Sequence, residues 1–263
     1  MNQSNTALIT GASGGIGLEL ARIHAQNGCD LVIVARSEAK LNRTKREFEA
    51  NYGIKVTVIA SDLSMPNSAK QVFEQTEKLN IQVDVLINNA GISQRSLCLE
   101  TSLDTYRTLL DVDVLGQIAL TKEVLPHMVT QRSGHIAVTS SVAGKVGVKL
   151  RTGYCAAKHA VMGFFDALRA EVTQYGISVS TITPGFIKTD VSKNAVTSDG
   201  EKFGVDDDDI AAGMDVDKCA RIIVNKLNKG AKEIAVGEGL SMMALWLKRL
   251  APSLVFSMVQ NKA

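Results

Sequence analysis

At 263 residues and 45% apolar, the chain can bury a sizeable core and is too hydrophobic to be disordered. The formal charge of +2, with both signs mixed along the chain, gives no basic patch for nucleic acid and no acidic surface. Four cysteines, Cys29, Cys98, Cys155 and Cys219, lie far apart without metal or redox spacing, and read as reduced, buried thiols of a cytoplasmic protein. No metal site is expected.

Met1–Asn5 runs straight into an apolar strand, without the charged lead and long apolar stretch of a secretory signal. Short Val- and Ile-rich runs then recur: Thr6–Thr10, Leu31–Ala35, Val56–Ala60, Val83–Ile87, His135–Thr139, Ser178–Ile182 and Glu233–Val236. Their continuous apolar character fits strands buried on both faces. Amphipathic stretches such as Gly15–Gln26, Glu38–Asn51 and Ala69–Lys78 lie between them. The alternation predicts one α/β domain, a doubly wound seven-stranded parallel sheet with helices on both faces.

After the first strand stands Thr10-Gly11-Ala12-Ser13-Gly14-Gly15-Ile16-Gly17. Glycines there permit positive φ and let backbone amides approach a pyrophosphate at a helix N-terminus. The second strand ends in Arg36-Ser37 rather than in an acid. A guanidinium suits a ribose 2′-phosphate, which favours NADP(H) over NAD(H); Glu38 is the alternative ribose partner.

Strand His135–Thr139 leads into Ser140-Ser141, at the end of a parallel strand where such sheets bind ligands. Tyr154 and Lys158 then share one helix face, one turn apart. A nearby ammonium stabilises a phenolate, so the pair can give a proton to an alkoxide or take one from an alcohol.

Residues 188–217 carry Gly200, Gly204 and Asp206–Asp209, and are expected to form a mobile segment beside the substrate, with the aspartates a solvated helix start. Residues 1–239 form the expected domain and 240–263 a helical extension. Leu240–Val259 is apolar but broken by Lys248-Arg249 and Pro252, which fits core packing, an oligomer contact or a peripheral membrane anchor.

Together these features resemble the short-chain dehydrogenase/reductase family from Thr6 to about Val236. The match includes the glycine loop, Asp62-Leu63, Asn88-Asn89-Ala90-Gly91, Tyr154/Lys158 and Pro184-Gly185. The resemblance implies a Rossmann-type fold and places Gly11, Ser13, Gly14, Gly15, Ile16, Gly17, Arg36, Asp62, Leu63, Asn89, Ala90, Gly91, Tyr154, Lys158, Pro184, Gly185, Ile187 and Thr189 against the dinucleotide. Asp62 would bond the adenine amino group and Leu63 would pack on that ring. Asn88 would steady the sheet, Lys158 would hold the nicotinamide ribose, and Ile187 and Thr189 would face the carboxamide. The family's serine stands thirteen residues before its tyrosine, which selects Ser141. Where the family has an asparagine this chain has Asp113, expected to hold a water and add negative charge near Lys158.

The implied catalytic set is therefore Ser141, Tyr154, Lys158 and Asp113. The implied substrate is a small carbonyl or alcohol compound, of apolar type from the segment between Ala195 and Phe203. A homodimer or homotetramer is implied through apolar residues of 106–128 and 161–172. A non-catalytic NADP(H)-binding sensor or scaffold is the competing function.

Overall fold

The computed structural model describes residues 5–260. Residues 1–4 and 261–263, and with them the start of the expected domain and the end of the expected extension, lie outside the described residues.

Seven parallel strands form one sheet in the order β3-β2-β1-β4-β5-β6-β7. They are β1 (Thr6–Thr10), β2 (Asp30–Ala35), β3 (Val56–Ala60), β4 (Val85–Asn88), β5 (Gly134–Thr139), β6 (Ile177–Pro184) and β7 (Glu233–Val236). Every expected strand is present, within two residues at each end. Side-chain alternation explains the continuous apolar runs. Ala7, Ile9, Leu31 and Ile33 bury against one helical layer, while Leu8, Val32 and Val34 bury against the other.

The first layer includes α1 (Gly15–Gln26), α2 (Glu38–Tyr52) and α8 (Val216–Asn228); the second comprises α3 (Ser68–Lys78), α5 (Gly116–Gln131) and α6 (Thr152–Val172). A short helix α4 (Leu103–Leu110) joins α5 through one π-helical turn, Asp111–Leu115. α7 (Asp208–Ala211) lies inside the expected substrate segment, and α9 (Leu240–Leu250) and α10 (Pro252–Gln260) form the C-terminal pair. Strand order reverses direction between β1 and β4, which opens a crevice at the strands' carboxyl ends. Among the described residues no helix is long and apolar enough to cross a membrane.

Two expectations need correction. Cys98 is exposed and Cys29 half-buried, so only Cys155 and Cys219 are the buried thiols anticipated; burial pushes the Cys219 thiol up to about 12. Asp207 does start a helix, its Oδ1 accepting from the Asp209 amide at the cap of the segment Asp208–Ala211, but it is not solvated: it is buried, with Oδ2 2.9 Å from both Arg95 and Arg151.

Candidate active site

The crevice is a cavity of about 910 Å³ running from Arg36 past the glycine loop and Tyr154 to the C-terminal helices. At its closed end the chain turns sharply from β1 into α1. Gly11 (φ 68°) and Gly15 (φ 56°) occupy the left-handed region that other residues avoid. A Cβ on Gly11 would lie 3.0 Å from the Ala90 Cα, so the loop can pack against β4 only as glycine. Gly14, Gly15 and Ile16 bring the N-terminus of α1 to the cavity wall. Gly17 does not reach it. A Cβ there would overlap the Asn89 amide nitrogen and the Gly11 carbonyl oxygen, so Gly17 serves close packing instead of contact with a ligand.

Beside this cradle the wall carries Arg36, Ser37 and Lys40. Arg36 is exposed, with no ion pair among the described residues, and the Ser37 hydroxyl caps α2 by accepting from the Lys40 amide. Glu38 does not line the cavity. Lys40 was not anticipated, although a serine cap three residues before a lysine was there to be read. Across the cradle Asp62 Oδ1 accepts from the amide and hydroxyl of Ser64, leaving Oδ2 without a partner among the described residues.

The β4 end is tied to its neighbours. The Thr10 hydroxyl accepts from the amides of Asn89 and Ala90, both at 2.9 Å. The Asn89 side chain donates to the Thr10 carbonyl and accepts from the Thr139 hydroxyl, bridging the ends of β1 and β5. Buried Asn88 donates to Thr121 of α5 at 2.8 Å, a tie between sheet and helix that matches its expected steadying role.

On α6, the Lys158 Nζ lies 5.6 Å from the Tyr154 ring centre and donates to the Thr139 carbonyl at 3.1 Å. Asp113, brought inward by the π turn, puts Oδ2 3.1 Å from that ammonium and accepts the Ile92 amide on Oδ1 at 2.7 Å. The negative charge expected near Lys158 is in fact the other half of a buried ion pair. Burial pulls the Lys158 ammonium down, but Asp113 and Tyr154 together hold it above the ordinary lysine value. Burial pushes the Asp113 carboxyl up, against the pull of Lys158 and the Ile92 amide. Asp113 does not line the cavity and touches Lys158, so it is a positioning residue and not a catalytic one. Gly91 fits against both groups because it has no Cβ.

The two serines differ in what their hydroxyls have left to give. Ser140 is buried and donates to the Lys158 carbonyl at 3.0 Å. Ser141 accepts from the Ala143 amide at 3.1 Å, which leaves its own hydrogen free for another oxygen. Ser140 and Val142, on either side of it, line the cavity.

One positioning residue had no signal in the sequence. Buried Gln94 caps α6: its Oε1 accepts from the amides of Gly153 (2.7 Å) and Tyr154 (3.3 Å), and its Nε2 donates to the hydroxyls of Ser96 and Thr101. Two of the helix's orphan N–H groups are thereby satisfied at the tyrosine itself. The same stretch pairs with Val196, since the Arg95 amide donates to its carbonyl and its amide donates to the Ser93 carbonyl.

Pro184, Gly185, Ile187 and Thr189 line the cavity beyond β6. The segment 188–217 is anchored there by Asp207 and by the backbone pairing of Ile187 with Met214. It is not apolar between Ala195 and Phe203, since Thr197–Glu201 is a polar turn; Ala195 lines the cavity, while Arg95 lies over the Phe203 ring.

A profile of short chain dehydrogenases matches residues 5–200. The chain is 38% identical to a frog (Xenopus laevis) protein, dehydrogenase/reductase SDR family member 7B, over 99% of this chain and 82% of that one. A Sphingobium yanoikuyae short-chain dehydrogenase in complex with NADPH superposes with a TM-score of 0.82 at 24% identity, covering 98% of this chain and 96% of that one. A short-chain dehydrogenase/reductase from Burkholderia phymatum in complex with NAD does so with 0.84 at 22%, over 95% of each.

Proposed function

The chain belongs to the short-chain dehydrogenase/reductase family, and from that membership we propose an NADP(H)-dependent oxidoreductase that interconverts a carbonyl and a hydroxyl on a small substrate, its apolar character supported by Val146, Ala195, Ile210 and Val255 on the cavity wall instead of by residues 195–203. The observation that carries this reading is that Tyr154 and Lys158 open onto the same cavity as the glycine cradle. The cradle fits a dinucleotide, because Cβ-free positions and a helix N-terminus meet where a pyrophosphate would lie. When bound, that cofactor supplies or accepts the hydride.

The chain's own residues do the rest. The Tyr154 hydroxyl gives or takes the substrate's proton, with the Lys158 ammonium favouring the phenolate. The free hydrogen of Ser141 bonds the substrate oxygen and steadies negative charge on it. Lys158 orients the nicotinamide ribose, Asp62 the adenine, and Ile187 and Thr189 the carboxamide. The preference for NADP(H) is supported by Arg36 and Lys40 on a stretch of wall without a carboxylate.

The test is turnover of NADPH against a panel of aldehydes and ketones. Tyr154→Phe should abolish it while NADPH still binds; retained turnover would refute the assignment, and silence of the parent across the panel would favour the competing reading of a non-catalytic NADP(H)-binding sensor or scaffold. Arg36→Leu should weaken NADPH roughly 10- to 100-fold and leave NADH unchanged. Self-association through residues 106–128 and 161–172 is supported by exposed Leu110 and Leu115, and light scattering would give the number of chains.

A further inference from the structure

The C-terminal pair α9–α10 presents an outer face that the enzyme reading leaves unused. Its inner face packs on Val142 and Val146 through Leu245, Leu247, Val255 and Val259. Outward it exposes Leu240, Met243, Trp246 (71%), Leu250 (78%), Leu254 and Phe256. On α9, Met243, Trp246 and Leu250 stand at i, i+3 and i+7 and share one exposed face, and an apolar stripe of this kind marks an interaction site. The only charges from Leu240 to Gln260 are Lys248 and Arg249, with no carboxylate among them. Neither has an acidic partner among the described residues, and the Lys248 ammonium lies over the Phe256 ring at 4.0 Å. The pair is also thin: Ala244, Val255, Met258 and Val259 line the main cavity, so its floor is the back of this face.

We propose that α9–α10 docks the protein on an anionic lipid surface, lying in the interface with Trp246, Leu250, Leu254 and Phe256 inserted. Apolar side chains, one tryptophan and unpaired basic groups on two short helices are what such an interface accommodates: the rings sit at headgroup depth and the cations reach lipid phosphates. A second copy of this chain fits the face less well. Two-fold pairing would bring each Lys248-Arg249 against an apolar field that offers no carboxylate to receive it. Docking would set the cavity's C-terminal wall against the bilayer.

Trp246 is the chain's single tryptophan, so its emission reports on this face alone. Added vesicles of phosphatidylcholine with phosphatidylserine should shift that emission to the blue, and bromine-labelled lipids should quench it. Flotation should fall roughly thirtyfold for Lys248→Gln/Arg249→Gln with those vesicles, and should be lost for Trp246→Glu/Leu250→Glu. Trp246, Arg249 and Leu250 are exposed and Lys248 is half-buried, and NADPH binding serves as the check that each variant is folded. Unchanged emission without flotation of the intact protein would overturn the proposal. So would concentration-dependent self-association that buries Trp246 and excludes vesicles.

Discussion

Replacing Asp113 by Asn tests the electrostatic core of the site. The Lys158 ammonium stands between the Asp113 carboxylate, 3.1 Å away, and the Tyr154 ring, 5.6 Å away. Those two distances place the carboxylate no farther than about 8.7 Å from the ring centre. At an effective dielectric constant of about 20, a negative charge within that distance opposes a phenolate by about 1.9 kcal/mol or more, that is by upwards of about one pH unit. Asparagine keeps an oxygen for the Ile92 amide and removes the charge. The limb of the kcat profile that reports proton transfer to or from the substrate should therefore move by at least about one unit to lower pH. It does so in both directions of reaction, because oxidation needs the phenolate and reduction needs the phenol. Taking one partner from a buried ion pair also costs about 3 to 5 kcal/mol of stability, so thermal midpoints are measured separately from the limb, at saturating cofactor. A limb that stays in place, or moves to higher pH, would refute the argument. The upward shift would mean that the carboxylate's main work is to keep Lys158 charged.

Gln94→Leu leaves the Gly153 and Tyr154 amides without an acceptor, and should lower stability by about 1 to 3 kcal/mol and reduce kcat far more than NADPH affinity; an unchanged kcat would make the cap merely structural. Gly17→Ala forces a methyl group against Asn89 and the Gly11 carbonyl, with an expected loss of about 1 to 3 kcal/mol in denaturant titration; parent-like stability would show that the loop yields. Buried His24 is held neutral, its pKa lowered to about 4 by burial and by His135. The folded state thus resists protonation, and stability that is full above pH 6.5 is lost as the pH falls from there toward 4. His24→Leu should remove about 3 kcal/mol of that acid dependence, and identical acid titrations of the two proteins would contradict it.

What could be read in advance, and what could not, divides along one physical line. The strands were legible because a parallel sheet buried on both faces leaves a continuous apolar run, a local signature. The cradle was legible because left-handed turns demand glycine at fixed offsets, and Tyr154/Lys158 because they share one helical turn. Gln94 was not, since the amides it caps lie 59 and 60 positions away and no local rule sends a glutamine there. The contact between Asp113 and Lys158 depends on a π turn whose sequence looks like ordinary helix. The tie from Asp207 to Arg151 crosses 56 positions. These unforeseen contacts share a destination. Gln94, Asp207 and Asp113 all bond the end of α6 that carries Tyr154, between Arg151 and Lys158. Three buried polar side chains, recruited from three separate segments, hold about two turns of a helix that its own apolar face would already have docked. Buried polar groups cost more than apolar packing unless every bond is made. Their concentration here is best explained by a demand on geometry rather than on stability: a hydroxyl and an ammonium that must keep their spacing relative to a ligand in the adjoining cavity.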